Sequence, residues 1–150
     1  MPTILLETMI NAPVERCFDL ARNISLHCAS TSGTNEKAVA GVTEGLIGPG
    51  ETVTFEATHF GVRQRLTSRI TEFEYPRRFV DEMLQGAFHS LHHLHEFEPT
   101  ATGTLMRDTM TFVSPLGWLG ILADKLFLQS YMTHFLRERN THLKHVAEST

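Results

Sequence analysis

Apolar residues recur along this chain with two different periods. Up to Val113 most segments alternate apolar and polar positions, whereas beyond Pro115 the apolar residues fall three and four apart. A period of two marks a strand with two unlike faces, and a period near 3.6 marks a helix. Thr3–Ile10 mixes Ile4, Leu6 and Ile10 with Glu7 and Thr8 and reads as a strand, broken at Asn11-Ala12-Pro13. Pro13 suits a first helical turn, where its missing N–H would be unpaired anyway. Val14, Cys17, Phe18 and Ala21 then follow at helical spacing, with Glu15 placed favourably near a helix N-terminus. A second short helix is predicted from about Asn23, carrying Ile24, Leu26 and His27.

The middle of the chain is a series of strands: 37–42, 51–60, 62–73, 79–84, 88–98 and 104–113. Gly48-Pro49-Gly50, Gly61, Tyr75-Pro76, Gln85-Gly86 and Ala101 to Gly103 separate them. Strands joined by turns this short form an antiparallel meander. One polar and one apolar face per strand leaves one side of the sheet solvated and the other in need of cover. The segment from about Leu116 to Ala147 supplies it as one long helix, with Leu119, Leu122, Leu126, Met132, Leu136 and Leu143 along a stripe. Its first half, including Leu116, Trp118, Ile121, Phe127, Leu128 and Tyr131, is apolar almost all round. Its second half reads as polar outside the stripe, at Arg137, Glu138, Arg139, Asn140 and Lys144. The expected class is α+β: about seven antiparallel strands in a curved sheet around a long C-terminal helix, with two short helices after strand 1.

Composition narrows what such a domain does. The 150 residues fit one domain and can bury roughly 70% of the unfolded chain's surface. A formal net charge of -4 offers no basic excess for nucleic acid phosphates. No run of ~18 apolar residues predicts a membrane span, and MPTILLETMINAPVE lacks the basic and apolar regions of a signal peptide, so a cytoplasmic location is expected. Cys17 and Cys28 are too few for a disulfide scaffold and read as reduced packing residues. There is no Gly-rich phosphate loop. Nine histidines are the unusual feature, because they titrate between pH 5 and 8.

The order of elements resembles the START-like, or Bet v 1-like, helix-grip fold. The run Asn11-Ala12-Pro13-Val14-Glu15-Arg16-Cys17-Phe18-Asp19-Leu20 is similar to the AP-x-x-x-x-F-x-L opening of the bacterial SRPBCC superfamily. Gly86-Ala87-Phe88-His89, His93-Leu94-His95-Glu96-Phe97 and the stretch from Thr109 to Pro115-Leu116-Gly117 resemble a bacterial branch related to polyketide cyclase-like and coenzyme Q-binding proteins. The likeness spans essentially the whole chain. It implies a cavity between sheet and helix, and a small, largely apolar ligand such as a lipid, quinone or aromatic polyketide-like molecule. It implies no metal and no cofactor, and it is specific for fold and not for activity.

Strand parity says which polar side chains share the inward faces. Phe55 and His59 lie with Val53 and Ala57; Gln64 and Ser68 with Leu66 and Ile70; Asp81 with Phe79 and Met83; Asp108 with Met106, Met110 and Phe112. Glu96 and Glu98 favour water, so the opposite face of their strand, with His93, His95 and Phe97, is expected inside. The candidate ligand-binding set is therefore Phe55, His59, Gln64, Leu66, Asp81, Met83, His93, His95, Met106, Asp108, Met110 and Phe112, joined by Leu122 and Leu126 from the helix. Four roles fit the histidines and aspartates: a hydrogen-bonded network in the wall, recognition of a ligand oxygen, acid–base catalysis by His93 or His95 with Asp108, or a zinc-like site adding His59 to His93 and His95. His89 and His92 are expected at the surface, His134, His142 and His145 in structural roles on the C-terminal helix, the last two favourable near its end when charged, and Arg63, Arg65 and Arg69 on the solvated face. The apolar helix start around Trp118 is open to three roles, a cavity gate, a membrane contact without stable insertion or a homodimer contact, with gate or dimer preferred, and it also leaves open an adaptor role in which that surface docks a protein.

Overall fold

The computed structural model describes residues 3–59, 61–113 and 127–149. In chain order these form β1 (Thr3–Ile10), α1 (Val14–Ala21), α2 (Ile24–Ser30), a 3-10 turn at Ser32–Thr34, β2 (Lys37–Gly41), β3 (Thr52–His59), β4 (Val62–Glu74), β5 (Arg78–Gln85), β6 (Ser90–Pro99), β7 (Thr104–Val113) and α3 (Gln129–Glu148). Pro13 stands one residue earlier than expected, as the extended N-cap of α1 with φ -62° and ψ 152°. Asn23 caps α2 by accepting a 3.0 Å hydrogen bond from the Leu26 N–H. The seven strands form one antiparallel sheet in the order β1-β7-β6-β5-β4-β3-β2, so the first strand closes beside the last.

Three irregularities bend the sheet, between Ala38 and Ala40, between Thr67 and Ser68, and between Ile70 and Glu72. A bulge inserts an unpaired residue and increases local twist. The one in β4 also resets parity, so that Ile70 and Phe73 both reach the interior, where strict alternation from Val62 would place Glu72. At the end of β2, Gly41 has φ +71°, and a Cβ there would lie 2.2 Å from the Thr52 carbonyl oxygen.

Helix α3 lies in the hollow of the curved sheet, and Arg16 ties its end to α1. The guanidinium donates to the carbonyls of Ala147 at 2.8 Å, Val146 at 3.0 Å and Ser149 at 2.9 Å, which are the orphan acceptors of a helix C-terminus. The expected helix from Leu116 is described from Gln129 onward, preceded by π-helical Phe127 and Leu128. Trp118, Leu122, Leu126 and the apolar start as far as residue 126, with the roles assigned to it, lie outside the described residues; of its remaining members Phe127 is exposed and Leu128 and Tyr131 line the cavity. No helix among the described residues is long and apolar enough to cross a membrane. Both cysteines are free, Cys17 buried and Cys28 half-buried.

Two apolar clusters make the core. One centres on fully buried Phe18, whose ring meets those of Tyr75, Phe79, Phe97 and Phe73 at 5.0 to 5.3 Å. The other gathers Ile4, Leu91, Met110, Phe112 and Leu136. Between them runs a polar layer, interrupting three elements at matching heights. On β6, Phe97 belongs to the first cluster and Leu91 to the second, with His95 and His93 between; on β7, Asp108 separates Met106 from Met110; on α3, Arg139 and Asn140 separate Leu143 from Leu136.

Candidate functional site

Antiparallel pairing assembles the polar layer. The register sets Asp81 opposite His93 and His95 opposite Asp108, which alternates acid and imidazole across β5, β6 and β7. Both histidines are 2% exposed and Asp108 is fully buried. The two imidazoles stack with centroids 3.7 Å apart and planes 25° apart. His95 Nε2 lies 2.6 Å from Asp81 Oδ2, and His93 Nε2 lies 2.8 Å from Asp108 Oδ1. On the helix side, Arg139 Nη2 donates to Asp108 Oδ1 at 3.0 Å and Asn140 Nδ2 donates to Asp108 Oδ2 at 2.7 Å. Asp108 thus accepts from three side chains, as a fully buried carboxylate requires.

Sequence reasoning left Arg139 and Asn140 on the polar outside of the helix, and the structure corrects this: they are 6% and 3% exposed. The signal was present. Leu136 and Leu143 define the inward stripe, and positions 139 and 140 lie on that stripe, three and four residues after Leu136. A polar pair there announces a polar partner opposite, and Asp108 is that partner.

Charge states follow from burial and neighbours. Burial alone would raise the Asp108 carboxyl, but the Arg139 guanidinium and the hydrogen bond and charge of His93 overcome it and hold it far below the usual carboxylate range. Asp81 behaves alike: burial pushes up, the His95 hydrogen bond and the charges of His95, His93 and Arg139 push down further, and the result is about 2. Burial, reinforced by the adjacent His93, lowers His95 to about 4 against the opposing pull of Asp81. At neutral pH both aspartates are therefore ionised and His95 is neutral.

This layer forms part of the wall of a cavity of about 370 Å3 between the sheet and α3. Of the sequence candidates, Phe55, His59, Gln64, Leu66, Asp81, His93, His95 and Met110 line it. Met83, Met106, Asp108 and Phe112 do not: Met106 and Phe112 are fully buried in the two clusters, Met83 packs at the edge of the second, and Asp108 sits behind the imidazoles. His59 stands apart from the His93/His95 pair, with Nδ1 hydrogen-bonded to the Tyr131 hydroxyl at 2.6 Å and burial lowering its pKa. Asp81 occupies the third position that His59 was expected to fill.

A second polar group on the lining escaped the sequence reading. Glu36 Oε1 lies 2.7 Å from His27 Nε2 and accepts from Thr31 Oγ1 at 2.9 Å, with the His27 ring 4.5 Å from that of Phe55. Burial would raise the Glu36 carboxyl, but His27 and the hydrogen bond from Thr31 outweigh it and lower it. Glu36 precedes β2 in a short connection with no periodicity to read, so no pattern pointed inward there. The remaining walls are apolar, with Val53, Leu66, Ile70, Leu91 and Met110 prominent. On the outer face, Arg63 and Arg65 pair with Glu56 at 3.1 and 2.9 Å, as a solvated row does.

Residues 1–148 match the model of a family described as polyketide cyclase / dehydrase and lipid transport. No curated protein matches the sequence. Solved structures share the fold at low identity. TTHA0849 from Thermus thermophilus superposes with a TM-score of 0.80 at 22% identity, covering 99% of this chain and 100% of its own. CV1439 from Chromobacterium violaceum gives 0.74 at 15% identity, covering 99% and 98%. The major latex-like protein 151 of Panax ginseng gives 0.71 at 12% identity, covering 97% of each chain.

Proposed function

Since this chain belongs to the polyketide cyclase / dehydrase and lipid transport family, within the SRPBCC, Bet v 1-like superfamily, we propose that it binds a small, largely apolar molecule in the cavity between sheet and α3. The observation that carries this reading is the cavity itself: about 370 Å3, apolar along most of its wall, with polar groups that include the Asp81, His93 and His95 patch and the Glu36–His27 pair. That volume and that distribution suit a ligand whose body is held by area burial and whose orientation is fixed by a few hydrogen bonds. The Asp81, His93 and His95 patch supports recognition of an oxygen on such a ligand, and a lipid, a quinone or an aromatic polyketide-like molecule would each offer one.

Native mass spectrometry of the protein as purified tests this, together with displacement of an apolar fluorescent dye by fatty acids, quinones and fused aromatics. One equivalent of bound or displacing ligand is expected, with Ala57→Trp, which fills the cavity from β3, abolishing it. A folded wild type that neither carries apolar mass nor binds any of the three classes refutes the reading. A second reading, acid–base catalysis as in a cyclase or hydrolase, is favoured by the 2.6 Å His95–Asp81 contact, which holds a neutral imidazole at the cavity wall. Turnover of a bound ligand by the wild type that His95→Ala abolishes would establish it.

A further inference from the structure

We propose that Asp81, His93 and His95 form a binding site for one divalent transition-metal ion at the cavity wall. Each imidazole turns one nitrogen toward Asp81 and the other toward Asp108. His93 Nδ1 lies 3.9 Å and His95 Nε2 2.6 Å from Asp81 Oδ2, while His93 Nε2 lies 2.8 Å and His95 Nδ1 3.5 Å from Asp108 Oδ1. The three cavity-side atoms all fall within 4.8 Å of one another. Ligands bonded at ~2.1 Å to one ion stand about 3–3.4 Å apart, so small side-chain shifts complete the set. Asp81, at 22% side-chain exposure, is the one with room to move.

Two observations separate this cluster from an ordinary hydrogen-bonded wall. First, buried His95 Nδ1 has no hydrogen-bond partner among the described residues. When His95 Nε2 donates to Asp81, Nδ1 is a bare lone pair facing the Asp108 carboxylate. Ligation of Nε2 moves the proton to Nδ1 and aims it at Asp108, which removes the mismatch. Asp108 then orients both imidazoles from behind, the outer carboxylate that histidine ligands commonly have. Second, the Arg139 guanidinium pairs with Asp108 at 3.0 Å, and Asp81 has no arginine or lysine within ion-pair distance among the described residues, only the two imidazoles. A divalent cation would give the Asp81 carboxylate the fixed positive partner that it lacks.

Two imidazoles and one carboxylate on adjacent strands leave the ion's remaining positions open toward the cavity, the donor set that suits Zn2+, Fe2+ or Co2+. An ion there would polarise an oxygen of the occupant, a step that rests on the binding reading above, whereas the metal site itself does not.

Chelator-treated full-length protein titrated with Co2+ provides the test. One equivalent per chain should bind, survive gel filtration and give a visible absorption band. Asp108→Asn should weaken binding about 10- to 100-fold and Asp81→Asn more, while the surface variants His142→Ala and His145→Ala leave it unchanged. Absence of the band and of retained metal overturns the proposal, as does retention that survives Asp81→Asn and is lost in His142→Ala. If the core variants do not fold, proton NMR of the wild-type Co2+ form decides. Two hyperfine-shifted imidazole N–H resonances, one from each ring, support the site; their absence refutes it. Ligand binding by metal-free protein is measured in parallel, so failure of either idea leaves the other decided on its own data.

Discussion

Replacing Arg139 by methionine keeps most of the side-chain stem and deletes the charge. Asp108 would then remain fully buried, hydrogen-bonded to His93 and Asn140 but without the guanidinium that lies 3.0 Å from Oδ1. Removing one partner of a buried ion pair costs about 3–5 kcal/mol, because the surviving charge stays desolvated. A domain with a total stability of about 5–15 kcal/mol would lose a large share of it. Urea unfolding of metal-free protein at pH 7.5 measures the loss as a shift in midpoint at constant m-value. Adding Asp108→Asn to Arg139→Met removes the stranded charge, so the double variant should be more stable than Arg139→Met alone. The loss in Arg139→Met should also shrink as pH falls, since protonating Asp108 has the same effect. A loss below about 1 kcal/mol, or a double variant as unstable as the sum of its parts, would refute the picture of a carboxylate kept ionised by Arg139.

Three further outcomes are expected. Gly41→Ala should destabilise the β2 edge, because it imposes both a positive φ and a Cβ 2.2 Å from a carbonyl oxygen; thermal denaturation should show a lowered Tm, and an unchanged one would mean that the edge relaxes freely. Phe18→Ala should cost about 3–5 kcal/mol by emptying the centre of the first cluster, read by chemical denaturation, with a cost under 1 kcal/mol contradicting its central place. Stability should fall as pH drops, first from the ordinary histidine range downward because His95 and His59 resist protonation in the folded state while the unfolded chain accepts it, then through the carboxylate range as the lowered carboxyls of Asp108, Asp81 and Glu36 are neutralised. Glu36→Gln should make the second limb of the pH–stability curve shallower, and an unaltered limb would remove Glu36 from its causes.

The fold was legible because alternation survives in nearly every strand, and because inward and outward residues differ in kind. Parity carried the reading of β6: Glu96 and Glu98 on one side fixed His93, His95 and Phe97 on the other. Bulges are silent in such a reading, since the extra residue between Ile70 and Glu72 obeys no period. The polar layer was half visible. Its strand members stood out as polar residues on apolar faces, whereas Arg139 and Asn140 looked like surface residues on a helix already rich in charge. Parity brought eight candidates to the cavity lining but did not separate them from the four that lie off it. Met106, Met110 and Phe112 share one face of β7, yet only Met110 lines the cavity, because depth along a strand depends on the curve of the sheet and not on parity.

The pairing of β1 with β7 has a consequence for synthesis. Glu7 and Arg107 bond across that seam although they lie 100 residues apart. At about 5–20 residues per second, a ribosome needs about 5–20 s to supply the partner of the first strand. Through that interval β1 leaves the exit tunnel with unpaired N–H and C=O groups and with Ile4, Leu6 and Ile10 uncovered. The meander from β2 onward can pair as it emerges, each strand meeting its neighbour after a connection of ten residues or fewer. The seam cannot, so nascent chains are most open to strand-to-strand association with one another before β7 arrives.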